Sequence, residues 1–177
     1  ELMGDFENFF HNDKIALPHL IKIGIAHYQF ETIHPFLDGN GRIGRMLITL
    51  FLMENNLLAK PTLYLSDYFE KNRSHYYDNL QSARIHNNLV QWLKFFLLGV
   101  ITTAENSVQT FRDIISLNEE VENKNALLGK RQTIARRLVQ HLYTKPIVDV
   151  KQTAGLLNVD FSTAKRLIDN LMQKKLL

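Results

Sequence analysis

His34-Pro35-Phe36-Leu37-Asp38-Gly39-Asn40-Gly41-Arg42-Ile43-Gly44-Arg45 is the stretch around which the rest of the chain is organised. It places a titratable base, a hard carboxylate, a turn of small residues and two guanidiniums within one short segment. A glycine-flanked turn that runs into a helix presents unpaired backbone N–H groups, which suits an anion. Arg42 and Arg45 are three residues apart, so on a helix they share a face and can grip one polyanion. A phosphate cradle beside a proton acceptor is the reading, and its natural ligand is a nucleoside triphosphate. The His34 imidazole is the side chain in this stretch able to accept a proton from an attacking hydroxyl. Asp38 suits Mg²⁺, which keeps waters and phosphate oxygens in its shell and needs few protein ligands. Gly39 and Gly41 leave the backbone open to phosphate, and Asn40 offers a side-chain donor.

Outward from this segment the pattern is helical. Leu20 to Ile33 is apolar nearly all round, which predicts a central helix starting near Pro18. Arg42 to Glu54 carries a stripe of Ile43, Met46, Leu47, Leu50 and Phe51, closed by Asn55-Asn56. Ser66 is placed to cap the next helix, with a break near Asn72. Asn87-Asn88 marks a turn before a long helix from Leu89 toward Ser116 and a second helical stretch from Asn118 to Leu128. The tyrosines at 64, 68, 76 and 77 read mainly as packing, with one or two left over for a base pocket.

Net charge is +3 over 177 residues but is unevenly spread. Residues 1–125 hold 11 Lys+Arg and 15 Asp+Glu, a balance of −4; residues 126–177 hold 10 and 3, a balance of +7. This predicts two modules with different partners, the junction falling at Gly129-Lys130. In the basic part, Val150 to Val159 and Ser162 to Leu171 read as two short helices about a turn at Asn158, with Ala154 and Gly155 allowing close approach. That is a helix-turn-helix pattern. Ser162, Thr163, Lys165 and Arg166 would face outward on its second helix as DNA contacts. The chain stops where a winged variant would continue into a hairpin.

The chain has no cysteine, so disulfides and thiolate metal sites are excluded. No apolar run reaches the roughly 18–20 residues that span a bilayer, and a cytoplasmic location without membrane contact is expected. The first residue is Glu, so the sequence is read as a fragment. His11, His19, His27, His75, His86 and His141 read as structural, since none has a zinc spacing. Gly39 to Gly44 also fits Gly-x-Gly-x-x-Gly, but a dinucleotide site needs a strand before it and a βαβ unit around it, and helix precedes it here.

The twelve-residue string resembles the pattern His-Pro-Phe-x-(Asp/Glu)-Gly-Asn-Gly-Arg-x-x-Arg of the Fic family, and all nine specified positions are filled. The resemblance runs from Glu1 to about Ala104 and takes in Leu63-Tyr64-Leu65-Ser66 and Tyr76-Tyr77. It implies an all-α Fic-type helical bundle over 1–116, joined by a helical linker (117–129) to a helix-turn-helix, winged-helix-like domain over 130–177. It implies an adenylyltransferase that moves AMP from ATP, with Mg²⁺, to a Ser, Thr or Tyr hydroxyl of a protein or of the chain itself. His34 matches the general base, Asp38 the Mg²⁺ ligand, Gly39 to Gly41 the α- and β-phosphate cradle, and Arg42 and Arg45 the grip on the β/γ end. Phe36 matches a residue that packs inward, and Tyr77 an aromatic at the adenine pocket. Two family parts have no counterpart: an inhibitory helix of pattern (Ser/Thr)-x-x-x-Glu-(Gly/Asn) and a target-aligning β-hairpin flap, both expected upstream of Glu1. Some relatives move other nucleotides, phosphate or phosphocholine. The alternative from another class is a nucleotide-sensing DNA-binding regulator acting through the basic module.

Overall fold

The computed structural model describes residues 1–12, 14–126 and 132–174. Among them the chain is all-α, as expected, with nine helices and no strand: α1 Leu2–Phe10, α2 His19–Ile33, α3 Asn40–Glu54, α4 Leu65–Lys71, α5 Arg73–His86, α6 Leu89–Ala126, α7 Gln132–Leu142, α8 Val150–Leu157 and α9 Phe161–Gln173. None is long and apolar enough to cross a membrane. The chain divides into two compact units, 1–109 and 110–177. The division falls inside α6; the expected junction at Gly129-Lys130 lies outside the described residues.

In the first unit α2 is the central helix that its all-round apolar sequence predicts. Ile23, Ala26 and Phe30 are buried, and α1 and α3 pack against it. Trp92 and Phe96 of α6 are fully buried beside it, and the Trp92 indole N–H donates to the Gly24 carbonyl at 2.9 Å. Gly24 is needed for this approach, since a Cβ there would lie 2.9 Å from the Leu93 side chain. Asn56 and Asn87 adopt left-handed backbone where α3 and α5 end, a conformation Asn tolerates better than most residues.

Three local expectations are corrected. Ser66 does not cap α4: the cap position is Tyr64, with no side-chain hydrogen bond, and Ser66 lies inside the helix. The two helical stretches expected on either side of residue 117 are one helix, α6, of 38 residues. No Gly or Pro interrupts it there, and Lys124 pairs with Glu120 one turn earlier. In the second unit Gly155 meets nothing within 4 Å of its would-be Cβ, so it is not the close-contact residue of α8. Thr153 is, fully buried with its hydroxyl donating to the Asp149 carbonyl.

That unit has its own core, in which Ala135 and Leu138 of α7, Leu157 of α8, and Leu167 and Leu171 of α9 close on one another. Asp149 and Gln152 form a reciprocal capping box at the start of α8. Asn158 turns the chain in left-handed backbone between α8 and α9.

Candidate active site

Helix α2 ends at His34, whose backbone is left-handed (φ 51°, ψ 57°) and whose N–H still donates to the Phe30 carbonyl at 3.0 Å. A β-carbon makes this conformation unfavourable, and such residues concentrate at functional sites. The cap turns the chain outward, so His34 and the following Pro35 to Asp38 are exposed. Gly39, at φ 83°, turns it back into α3. The first intrahelical bond is Ile43 N–H to Gly39 C=O at 3.0 Å, and no side chain caps the helix. The N–H groups of Asn40, Gly41 and Arg42 therefore open toward the loop as a 15-residue helix's N-terminal donors.

Asn40 departs from its expected use. Its side chain is 2 % exposed, accepts from the Phe36 N–H at 2.9 Å and donates to the Phe36 carbonyl at 2.5 Å. Both side-chain groups thus help to clamp the loop, and the backbone N–H of Asn40 also opens toward it. Phe36 is corrected with it. Its ring is 47 % exposed, 6.3 Å from Phe30, so the loop is held by its backbone and not by an inward-packed ring.

The two arginines are held differently. Arg42 Nη2 lies 3.0 Å from the Asp38 carboxylate, with the side chains 75 % and 92 % exposed respectively. Such an open pair contributes little and yields readily to a phosphate. Arg45 folds back along α3 until its Nη1 lies 3.0 Å from where a Cβ on Gly41 would sit. Any side chain at 41 would displace it. Both arginines line a 300 Å³ cleft with Met46, Thr49, Leu63 and Tyr64.

Beneath the motif is a polar layer that the motif alone does not reveal. His27, buried, shares a 3.0 Å hydrogen bond with the Tyr76 hydroxyl and stacks near Trp92 and Phe69. Burial pushes its imidazole down to about 4, the Gly44 backbone opposing and Arg45 assisting. Glu31 Oε1 is 4.0 Å from His27 Nε2, with its side chain 12 % exposed. Burial pushes this carboxyl up, while Arg45 and then His34 pull it down. Glu31 was legible in one respect only: it is the one acid in α2.

Tyr77 sits on α5, 55 % exposed, edge-on to Tyr76 at 5.2 Å, with the Arg73 guanidinium 5.9 Å from its ring centre. One ring face is therefore already shared with a cation. Asp38, the expected metal ligand, has no such company: among the described residues no three acidic or imidazole groups cluster for a metal. A single exposed carboxylate fits a hydrated Mg²⁺ that takes its other ligands from phosphate and water.

In the second unit, Lys165 and Arg166 are exposed on α9. Ser162 and Thr163 are engaged elsewhere: both hydroxyls donate to the Asp160 carboxylate at 2.6 Å, and the Thr163 N–H joins them at 2.9 Å. These donors hold Asp160 well below the usual carboxylate range. The two hydroxyls expected to reach DNA are thus held by the Asp160 carboxylate at the start of α9.

The site is thus a left-handed histidine a few residues ahead of an uncapped helix start that carries two arginines. Residues 1–52 match the Fic/DOC family. The chain is similar to the protein adenylyltransferase Fic of Aedes aegypti, 37 % identical over 83 residues, which is 46 % of this chain and 15 % of that protein. It is also similar to that of Drosophila erecta, 35 % identical over 83 residues, covering 46 % and 16 %. With the protein adenylyltransferase of Caenorhabditis briggsae it shares 29 % identity over 112 residues, covering 63 % and 20 %. The chain thus spans at most about a fifth of the length of these relatives.

Proposed function

We propose that this chain is the AMP-transferring part of a protein adenylyltransferase, using ATP and a hydroxyl side chain of a protein, its own included. The observation that carries the reading is the convergence of His34, the open N–H groups of α3 and both arginines on one helix start. The α-phosphate would lie over the amides of Asn40 to Arg42. His34 takes the proton of the incoming hydroxyl, the hydroxyl oxygen bonds to the α-phosphorus, and the bond from that phosphorus to the bridging oxygen breaks. Pyrophosphate leaves with the electron pair, its charge met by Arg42 and Arg45. Removing one such donor usually costs about 2.7–4 kcal/mol of barrier, or 10²–10³ in rate.

Asp38 would hold Mg²⁺, which supplies charge neutralisation on the phosphates. For that, Arg42 must leave Asp38, a small loss for a pair this exposed. Tyr77 would cover the base from one side. A cytoplasmic location is part of the same proposal.

The test is incubation of the native protein and His34→Ala with Mg²⁺ and ATP labelled at the α-phosphate, in the presence of a lysate. Label on protein that is lost in the variant, while ATP binding persists, supports the reading. Label that persists in His34→Ala refutes His34 as the base, and absence of label with intact ATP binding refutes AMP transfer by this chain.

A further inference from the structure

We infer that Glu31 is a positioning residue for His34: a carboxylate placed beneath the histidine to stabilise the positive charge it gains with the hydroxyl proton. The inference rests on the proposed role of His34 and adds a partner to it. His27 and Glu31 are one turn apart on α2, and exposed His34 follows three residues after Glu31 as the left-handed cap that ends the helix. Glu31 lies between the two histidines in sequence, its Oε1 buried 4.0 Å from His27 Nε2 and its carboxyl within hydrogen-bonding influence of the Tyr76 hydroxyl.

A carboxyl this far removed from water is costly, so its persistence needs a reason. The room for it is made by α3. A Cβ on Gly44 would lie 2.7 Å from Glu31 Oε1, so a larger residue there would push the carboxyl aside. The groups facing it are His27 and His34 from α2, Arg45 from α3 and Tyr76 from α5. Of the basic groups, His27 is held neutral by burial and cannot supply a counter-charge near neutral pH. Arg45 supplies one permanently, and His34 supplies another only when it is protonated. A carboxylate already in place beside a histidine that becomes charged lowers the energy of that charged state without rearranging solvent.

The alternative is that Glu31 only fills space between α2 and α3. Glu31→Gln separates the two, since it keeps shape and removes charge. The variant is compared with native protein for thermal midpoint, affinity for a non-hydrolysable ATP analogue, and kcat and KM of AMP transfer. Separately, the Glu31 side-chain carboxyl is titrated by carbon NMR in native protein and in His34→Ala. The expected result is a midpoint within about 3 °C, analogue affinity within about threefold, and kcat lower by roughly 10- to 100-fold with KM little changed. In His34→Ala the Glu31 carboxyl should titrate at higher pH than in native protein, because the neighbouring charge is gone.

Native kcat in Glu31→Gln, or a loss of affinity and midpoint in step with the rate, overturns the inference. So does a Glu31 titration indifferent to His34. If native protein transfers no label, the AMP-transfer reading falls by itself. The titration then decides the pairing alone, a shift supporting it and no shift overturning it.

Discussion

Replacing Asn40 with alanine separates a phosphate donor from a loop clamp, and the structure favours the clamp. The side chain makes two hydrogen bonds to the backbone of Phe36, 2.9 Å from its N–H and 2.5 Å from its carbonyl. Alanine removes both and leaves two partly buried groups unpaired. An unsatisfied buried group costs about 1–3 kcal/mol, and partial access to water pulls the pair toward the lower end. A total near 2 kcal/mol corresponds to roughly a 30-fold change in the opening equilibrium of the loop. Amide hydrogen exchange at Phe36, measured without nucleotide, reads this directly. The expected result is exchange about 30-fold faster in Asn40→Ala. Asn40→Asp should do at least as badly, because it sets an oxygen against the Phe36 carbonyl. Native-rate exchange at Phe36 in both variants, with only nucleotide affinity reduced, would refute the clamp and return Asn40 to the phosphate.

Two further outcomes follow from the layer beneath the loop. The neutral form of His27 is favoured by folding, since its titration falls from 6.5 to about 4. Its contribution is therefore complete above pH 6.5 and is lost as pH drops through about 4, a total of about 3 kcal/mol. Glu31, raised by burial, works the other way: its contribution is present below 4.5 and fades as pH climbs through its raised value. His27→Gln should flatten the acid loss in the 1–109 unit, followed by fluorescence of Trp92, the lone tryptophan, in urea. An acid loss as steep as native would sink the assignment. Gly44→Ala would bring a Cβ to 2.7 Å from Glu31 Oε1 and 3.1 Å from the Phe30 ring. It should cost about 1–3 kcal/mol, read by the same Trp92 unfolding curve, and adding Glu31→Ala should restore part of that. Full native stability in the single variant would mean that α2 and α3 do not pack this closely.

Most of the fold was legible because its signals are local. The all-round apolar run of α2, the stripe of α3 and the asparagines that end helices each act through neighbours a few residues away. The one long helix α6 was divided in expectation because composition turns polar near residue 118. Polarity does not break a helix; Gly and Pro do, and none is there. Gly155 was assigned to close packing by its size, yet what a small residue faces depends on which side of the helix meets a neighbour.

For the site, the sequence by itself determined the inventory: a base, a carboxylate, open backbone and two guanidiniums, because these sit within twelve residues and their spacing sets their reach. Only the tertiary structure decided how each is employed. It turned the Asn40 side chain onto Phe36, paired Arg42 with Asp38, laid Arg45 over Gly41, and tied the hydroxyls of Ser162 and Thr163 to the Asp160 cap of α9. It also brought Glu31 and His27 of α2 against Tyr76, which lies 49 residues beyond His27 in the chain. A polar group takes whichever partner lies within about 3 Å, and across two packed helices no local spacing states who that partner is.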